Sequence, residues 1–330
     1  MCTLCVCTRE GLVPYRPTTH QPMPHAAAAL LAAAGAVVLA ASPVAGAVPR
    51  SNCSVLREVR LRPACEAVNV LVSSYYEPID LHFPAGFWNN AEAIQVLADY
   101  SHLANDTTFI PTLRAIHALK EANYIKLFAY GSWDDSLWWV LAYVSAARAT
   151  GDASFLDDAA TVFDHVWYQA WRTDDCGGGL WWSYKDHYKN AITNELAVAA
   201  GVALYRAGKG QSYLQRAVLG WRWFRDSGMF DHSSGLVNDG LSVDTSNVSR
   251  CSNNGGTTWT YNQGVIIGAL VDLAAVSNDT AAARSYVGAA VGLANAALKS
   301  HLVSDDGILT EPCGNNCNED GKQFKGIFVR

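Results

Sequence analysis

Two adjacent carboxylates, Asp134 and Asp135, stand in Gly131-Ser132-Trp133-Asp134-Asp135-Ser136-Leu137-Trp138-Trp139, with three tryptophans around them. Two carboxylates a few Å apart cannot both ionise at their ordinary pKa, so one stays protonated near neutrality. A protonated and an ionised carboxyl side by side suit glycosidic bond cleavage. The first protonates the leaving oxygen, while the second attacks the anomeric carbon or stabilises its developing charge. Aspartates at a helix start also cap the helix and complement its dipole. Capping alone, however, gives no reason for Trp133, Trp138 and Trp139 to surround the pair. Aromatic rings pack against the apolar faces of sugars, which favours the catalytic reading.

Three further clusters combine aromatic and polar residues in the same way. Cys176-Gly177-Gly178-Gly179-Leu180-Trp181-Trp182-Ser183-Tyr184 has three glycines followed by two Trp and a Tyr. It lacks the GK[ST] or G-x-G-x-x-G pattern of a phosphate loop and reads as an active-site loop with stacking platforms. Lys189-Asn190-Ala191-Ile192-Thr193-Asn194-Glu195 opens a helix with a polar start, and Asn190 and Asn194 share one face from which to bond sugar hydroxyls. Tyr261, Asn262 and Gln263 enter another helix with the residue mix of a sugar subsite. Trp138, Trp139, Trp181, Trp182 and Tyr184 complete the expected substrate-binding set. A last cluster runs from Asp306-Gly307 through Asp320 to Phe324-Lys325-Gly326. Histidines are scattered, with no HExxH and no Ser-His-Asp pattern. No metal or other cofactor is expected.

The elements that must position these residues are helices. Apolar residues recur at helical spacing over 54–75, 87–104, 109–123, 135–150, 153–169, 190–207, 211–226, 258–276 and 280–299. Gly151 is placed to end one helix and Asp152 to cap the next. No alternating run is long enough to build a sheet. Two longer loops, about 171–189 and 227–256, are of the length that more often serves function. An all-α domain of helical hairpins, toroid or solenoid, fits this pattern. The chain has 330 residues, is half hydrophobic, and carries a net charge of -6, which gives no reason to expect nucleic acid as a partner.

The N-terminal region addresses location. Residues 26–41 are an uncharged apolar run, short of the roughly 20 residues a membrane span needs, and Ala45-Gly46-Ala47 follows as a cleavage signature. Residues 23–47 therefore read as a signal peptide, while 1–22 are an upstream extension fitting no targeting pattern. Removing this leader, with Cys2, Cys5 and Cys7, leaves an even set from the nine cysteines: Cys53, Cys65, Cys176, Cys251, Cys313 and Cys317. In a secreted chain these read as disulfides. Six cysteines allow fifteen connectivities, and short spacing favours Cys53–Cys65 and Cys313–Cys317, with Cys176–Cys251 remaining. Cys313-x-x-x-Cys317 lacks the second ligand pair of a zinc site. Sequons at Asn52, Asn105, Asn247 and Asn278 fit glycosylation on the secretory route.

Taken in order from about residue 54, these five clusters resemble glycoside hydrolase family 76, the endo-α-1,6-mannanases and their fungal cell-wall relatives. The resemblance implies an (α/α)6 toroid with a cleft across one end, and a retaining mechanism with Asp134 as nucleophile and Asp135 as acid/base. It implies α-mannan or mannoprotein glycan as substrate, and a secreted enzyme at the cell wall or cell surface. A transglycosylase acting on GPI-linked mannoproteins would use the same two carboxylates, and an inactive mannan-binding wall protein is the non-enzymatic alternative. An (α/α)6 ring needs twelve helices where about nine are read here. The catalytic domain, 48–330, is therefore expected to be incomplete at its C-terminal end. A monomer is expected, and no C-terminal GPI-anchor pattern is present.

Overall fold

A computed structural model of the chain describes residues 48–330 apart from 57, 85 and 120–130, and Val48–Arg330 form one compact unit. Residues 1–47, with the expected signal peptide, and the end of the helix expected over 109–123 lie outside the described residues. Among those described there are ten α-helices: α1 Arg62–Tyr75, α2 Phe87–Ala104, α3 Ile110–Ala118, α4 Trp133–Thr150, α5 Ser154–Ala170, α6 Ala191–Arg206, α7 Gln211–Asp226, α8 Thr260–Val276, α9 Thr280–Leu298 and α10 Phe324–Val329. The first helix begins later than its apolar pattern suggests. Two 3-10 turns, Cys53–Val55 and Val59–Leu61, precede it, and Pro63 sits in its first turn, where a missing N–H costs no bond.

Burial separates the helices into two layers. Of the 16 residues of α6, twelve are buried, on every face. Its neighbour α7, of the same length, buries only Tyr213, Ala217, Gly220, Trp221 and Phe224, a single stripe. A helix buried all round belongs to an inner layer and a striped one to an outer layer. The inner helices α2, α4, α6 and α8 pack side by side in chain order, with α10 next to α8. The outer helices α5, α7 and α9 each return along the inner helix before them. Helix ends carry the expected signals. Gly151 closes α4 in the left-handed region, Asp152 accepts from the Ser154 amide at 3.0 Å, and Asp279 caps α9.

A small antiparallel hairpin, Leu241–Val243 (β1) with Cys251–Asn253 (β2), stands in the second long loop, where no strand was expected. Each strand has three residues, too few to show alternation. The three cysteine pairs form as spacing suggested: Cys53–Cys65, Cys176–Cys251 and Cys313–Cys317, with Cα separations of 5.6, 5.2 and 5.0 Å. Asn52, Asn105, Asn247 and Asn278 are all exposed.

Two cavities lie along the axis of the inner layer. One, of about 530 Å³, is walled by the starts of five helices: Phe87 and Trp88 of α2, Asp134, Asp135 and Trp138 of α4, Asn190 before α6, Tyr261 of α8 and Phe324 of α10. The other, of about 610 Å³, lies toward the opposite helix ends and is edged by Asp99, Arg148, Arg206, Asp272 and Arg330. Trp138 borders both and forms the partition between them.

Candidate active site

The Asp pair occupies the first turn of α4 behind an extended Ser132, which holds the N-cap position without using its hydroxyl as a cap. Both residues are partly open to the first cavity. The Ser132 and Trp182 side chains and the amides of Asp134 and Asp135 surround the Asp134 carboxylate with hydrogen-bond donors that favour its charged form. Its Oδ1 is sealed from solvent with no hydrogen-bond partner among the described residues. Burial raises the Asp134 pKa, and these donors oppose the rise. Asp135 is pushed up to about 8, first by burial, then by the charge of Asp134 and, more weakly, by Asp320, with a Ser132 bond acting the other way. Donors thus converge on Asp134, and Asp135 is placed to keep a proton at neutral pH.

The cavity contains two further carboxylates. Asp239 accepts from the Tyr188 hydroxyl at 2.7 Å, and that hydroxyl accepts from Asn254 Nδ2 at 2.8 Å. Asp320 Oδ1 accepts from Trp88 Nε1 at 2.9 Å. Both Asp239 and Asp320 line the wall, as do Tyr188, Phe87, Trp88 and Phe324. Asp320 and Phe324 belong to the last sequence cluster, while the other four were not expected at the site. A signal for Phe87-Trp88 was available, because they stand at a helix start as Trp133 does. Tyr188 and Asp239 meet only through the fold. A side chain at Gly240 would collide with the Tyr188 hydroxyl, so a glycine lets these two loops close.

The expected site residues divide. Trp138, Trp182, Asn190 and Tyr261 line the cavity with the Asp pair. Trp182 is the most open of these rings, at 36% exposure, and Tyr261 stacks on Phe324 with centroids 3.9 Å apart. Asn190 Oδ1 is buried without a partner among the described residues.

The remaining expected residues face elsewhere. Trp139 is buried against Phe87 and Tyr143, its Nε1 donating to the Phe87 carbonyl. Asn194 is spent on structure, bonding both N–H and C=O of Leu180, at 2.7 and 3.0 Å, and the Asn190 carbonyl. Gln263 likewise ties the amide and carbonyl of Val237 and the Trp259 carbonyl. These three are packing and loop-tying residues rather than sugar ligands, because no polar atom is left to face the cavity. Trp181 stacks on His187 at 3.5 Å with its Nε1 on Asp175, and Tyr184 is 70% exposed outside the cavity wall. Asn262 is fully buried, and neither atom of its amide group has a partner among the described residues.

Sequence reasoning also passed over the carboxyl of Glu195 in the second turn of α6. It is fully buried, neither oxygen has a hydrogen-bond partner among the described residues, and burial together with the Asp239 charge raises its pKa well above the ordinary value. A carboxyl so placed is held neutral.

The sequence model of glycosyl hydrolase family 76 matches residues 67–330. A Schizosaccharomyces pombe protein provisionally named a mannan endo-1,6-alpha-mannosidase is 30% identical over 275 residues, spanning 78% of this chain and 60% of its own length. A mannan endo-1,6-alpha-mannosidase of Saccharomyces cerevisiae is 26% identical over 266 residues, spanning 75% of this chain and 56% of its own. The chain therefore covers less than two thirds of either relative. An alpha-1,6-mannanase of Salegentibacter, solved with alpha-1,6-mannotriose, superimposes with a TM-score of 0.70 at 22% identity, over 81% of this chain and 77% of that one. The protein solved there is an inactive variant with two successive aspartates replaced by asparagine. The likeness is one of fold, a mostly α-helical toroid.

Proposed function

This chain belongs to glycosyl hydrolase family 76, and from that premise we propose that it is an endo-acting, retaining hydrolase of α-1,6-mannan. The observation that carries the reading is the unequal treatment of two neighbouring carboxyls at the base of an aromatic cavity. Asp134, gathering donors, attacks the anomeric carbon to form a glycosyl ester. Asp135 passes its proton to the departing sugar oxygen, then takes one from water as that water displaces the ester. Trp88, Trp182 and Tyr261 give the mannose units apolar faces to rest on, Trp138 and Phe324 back that wall, and Asp239 and Asp320 offer acceptors for hydroxyls.

Secretion to the cell wall or surface is part of the proposal, supported by the 23–47 leader and three disulfides, which persist in oxidising compartments. The deciding experiment is a product assay on α-1,6-mannan. Hydrolysis should release short mannooligosaccharides whose first-formed reducing ends keep the α configuration, followed by proton NMR. Products longer than the substrate would instead identify a transglycosylase, and absence of any new species would leave a mannan-binding protein.

A further inference from the structure

The glycine loop is built around a lysine. Lys189 lies just before α6, and its side chain is wholly buried, at 0% exposure. Its Nζ donates toward the carbonyls of Arg172, Asp175 and Gly179 at 3.2 Å each and toward that of Gly178, and it pairs with Asp175 Oδ1 at 2.6 Å. It also sits 5.7 Å from the centre of the Trp223 ring. Five oxygens around one ammonium exceed the three hydrogens it has to give. A cage made mostly of backbone carbonyls and one carboxylate is an arrangement proteins use to hold hard cations. Left-handed φ at Cys176, Gly177 and Gly179 turns the loop around the ammonium. Burial pulls the Lys189 pKa down, and Asp175 opposes that pull.

The caged loop leads directly to the Asp pair. Trp181 Nε1 donates to the second oxygen of Asp175 at 3.0 Å, and Asn194 clamps Leu180. The Trp182 amide donates to the Tyr188 carbonyl, and the Trp182 carbonyl accepts from the Trp133 amide, each at 2.7 Å. The Trp182 indole shares the cavity wall with Asp134 and favours its charged form as a donor. We propose that Lys189 is a positioning residue, a built-in cation that fixes the 172–182 loop and, through Trp182, holds the Asp134 carboxylate in its attacking position. The proposal rests on the reading of Asp134 as nucleophile and is tested by a signal that needs no turnover.

In the full chain, the Trp182 indole N–H resonance, assigned by its loss in Trp182→Phe, is followed by NMR against pH. It should report the titration of Asp134 among the groups that face it, Asp135, Tyr261 and Asp320. Lys189→Met keeps the side-chain length without the charge, and Asp175→Asn removes the counter-charge. In both, the resonance should move to the position of an unbonded indole and lose its pH dependence. On α-1,6-mannotetraose, kcat should fall about ten- to a hundredfold while KM changes less than about threefold, as displacement of a reacting group predicts. Should Lys189→Met fail to fold by circular dichroism, Asp175→Asn alone decides. A folded variant whose Trp182 resonance matches the wild type overturns the proposal. Lack of turnover by the wild type would sink the mannanase reading while leaving the indole signal to judge Lys189.

Discussion

Asp134 and Asp135 share one helical turn and differ in what surrounds them: four donors converge on the first, while burial and a like charge act on the second. Asp134→Asn should therefore lose activity on every substrate, by about a thousandfold or more, as removal of a nucleophile does. Asp135→Asn should lose mannan hydrolysis but retain pre-steady-state release from a nitrophenyl mannoside, whose leaving group departs without a proton. Equal loss at that first step would refute the division of labour. The pH dependence follows the same logic. With Asp135 pushed up to about 8, the acid is in its working form below that pH, and kcat/KM should fall above it. Asp320→Asn removes a charge that helps keep the proton in place, so that limb should move to lower pH. Glu195 offers a stability test. Its folded pKa lies well above the unfolded value, so the folded state holds a proton that the unfolded state releases, and stability declines as pH rises above the ordinary Glu range. Melting temperatures from pH 4 to 8 should decline less for Glu195→Gln than for wild type; parallel curves would show that the carboxyl is ionised in both states.

At the scale of elements, the sequence discloses where chemistry gathers better than it discloses which way a side chain points. Carboxylates and rings stand at helix starts, and helix starts form the cavity wall, so Asp134, Asp135, Trp138 and Tyr261 were readable. Asn190 and Asn194 do share a face, yet the first reaches the cavity while the second ties Leu180. Spacing fixes the face of a helix, whereas the chain packed against that face is a tertiary fact. The β1–β2 hairpin escaped for a related reason, since its position depends on Cys251 being joined to Cys176, 75 residues away. That separation makes a prediction. Replacing both partners of Cys176–Cys251 by serine should lower unfolding free energy by about 4 kcal/mol on the chain-entropy account. Opening Cys313–Cys317, separated by 4 residues, should cost about 2 kcal/mol on the same account. Urea titration of the two double mutants checks the order, and a reversed order would show that local strain dominates. Gly178→Ala should also destabilise, by about 1–3 kcal/mol, because its Cβ would meet Trp223 at 2.6 Å on a backbone with φ of 154°. A matching melt for Gly178→Ala would mean that the indole has room to move.

Considered as a whole, the molecule gathers the starts of five inner-layer helices around one cavity, with Trp138 dividing it from a second. The wall is finished by residues far apart in the chain. Trp88 bonds Asp320, Asn89 bonds Gln323, and Glu92 pairs with Arg330, at separations of 232, 234 and 238 residues. Contacts of that span form late, because the intervening chain must be ordered before they repay the entropy of closure. Trp88→Phe should therefore speed unfolding and leave the refolding rate nearly unchanged in a chevron experiment. Slowed refolding would instead place this contact in the folding nucleus. During synthesis the consequence is a matter of time. Phe87 and Trp88 leave the ribosome more than two hundred residues before Asp320 and Phe324, which at about 5–20 residues per second is an interval of roughly 10–50 seconds. Throughout that interval the Phe87–Trp88 edge lacks the Asp320 and Phe324 that cover it, and exposed apolar surface of this kind is what chaperones bind until α10 arrives.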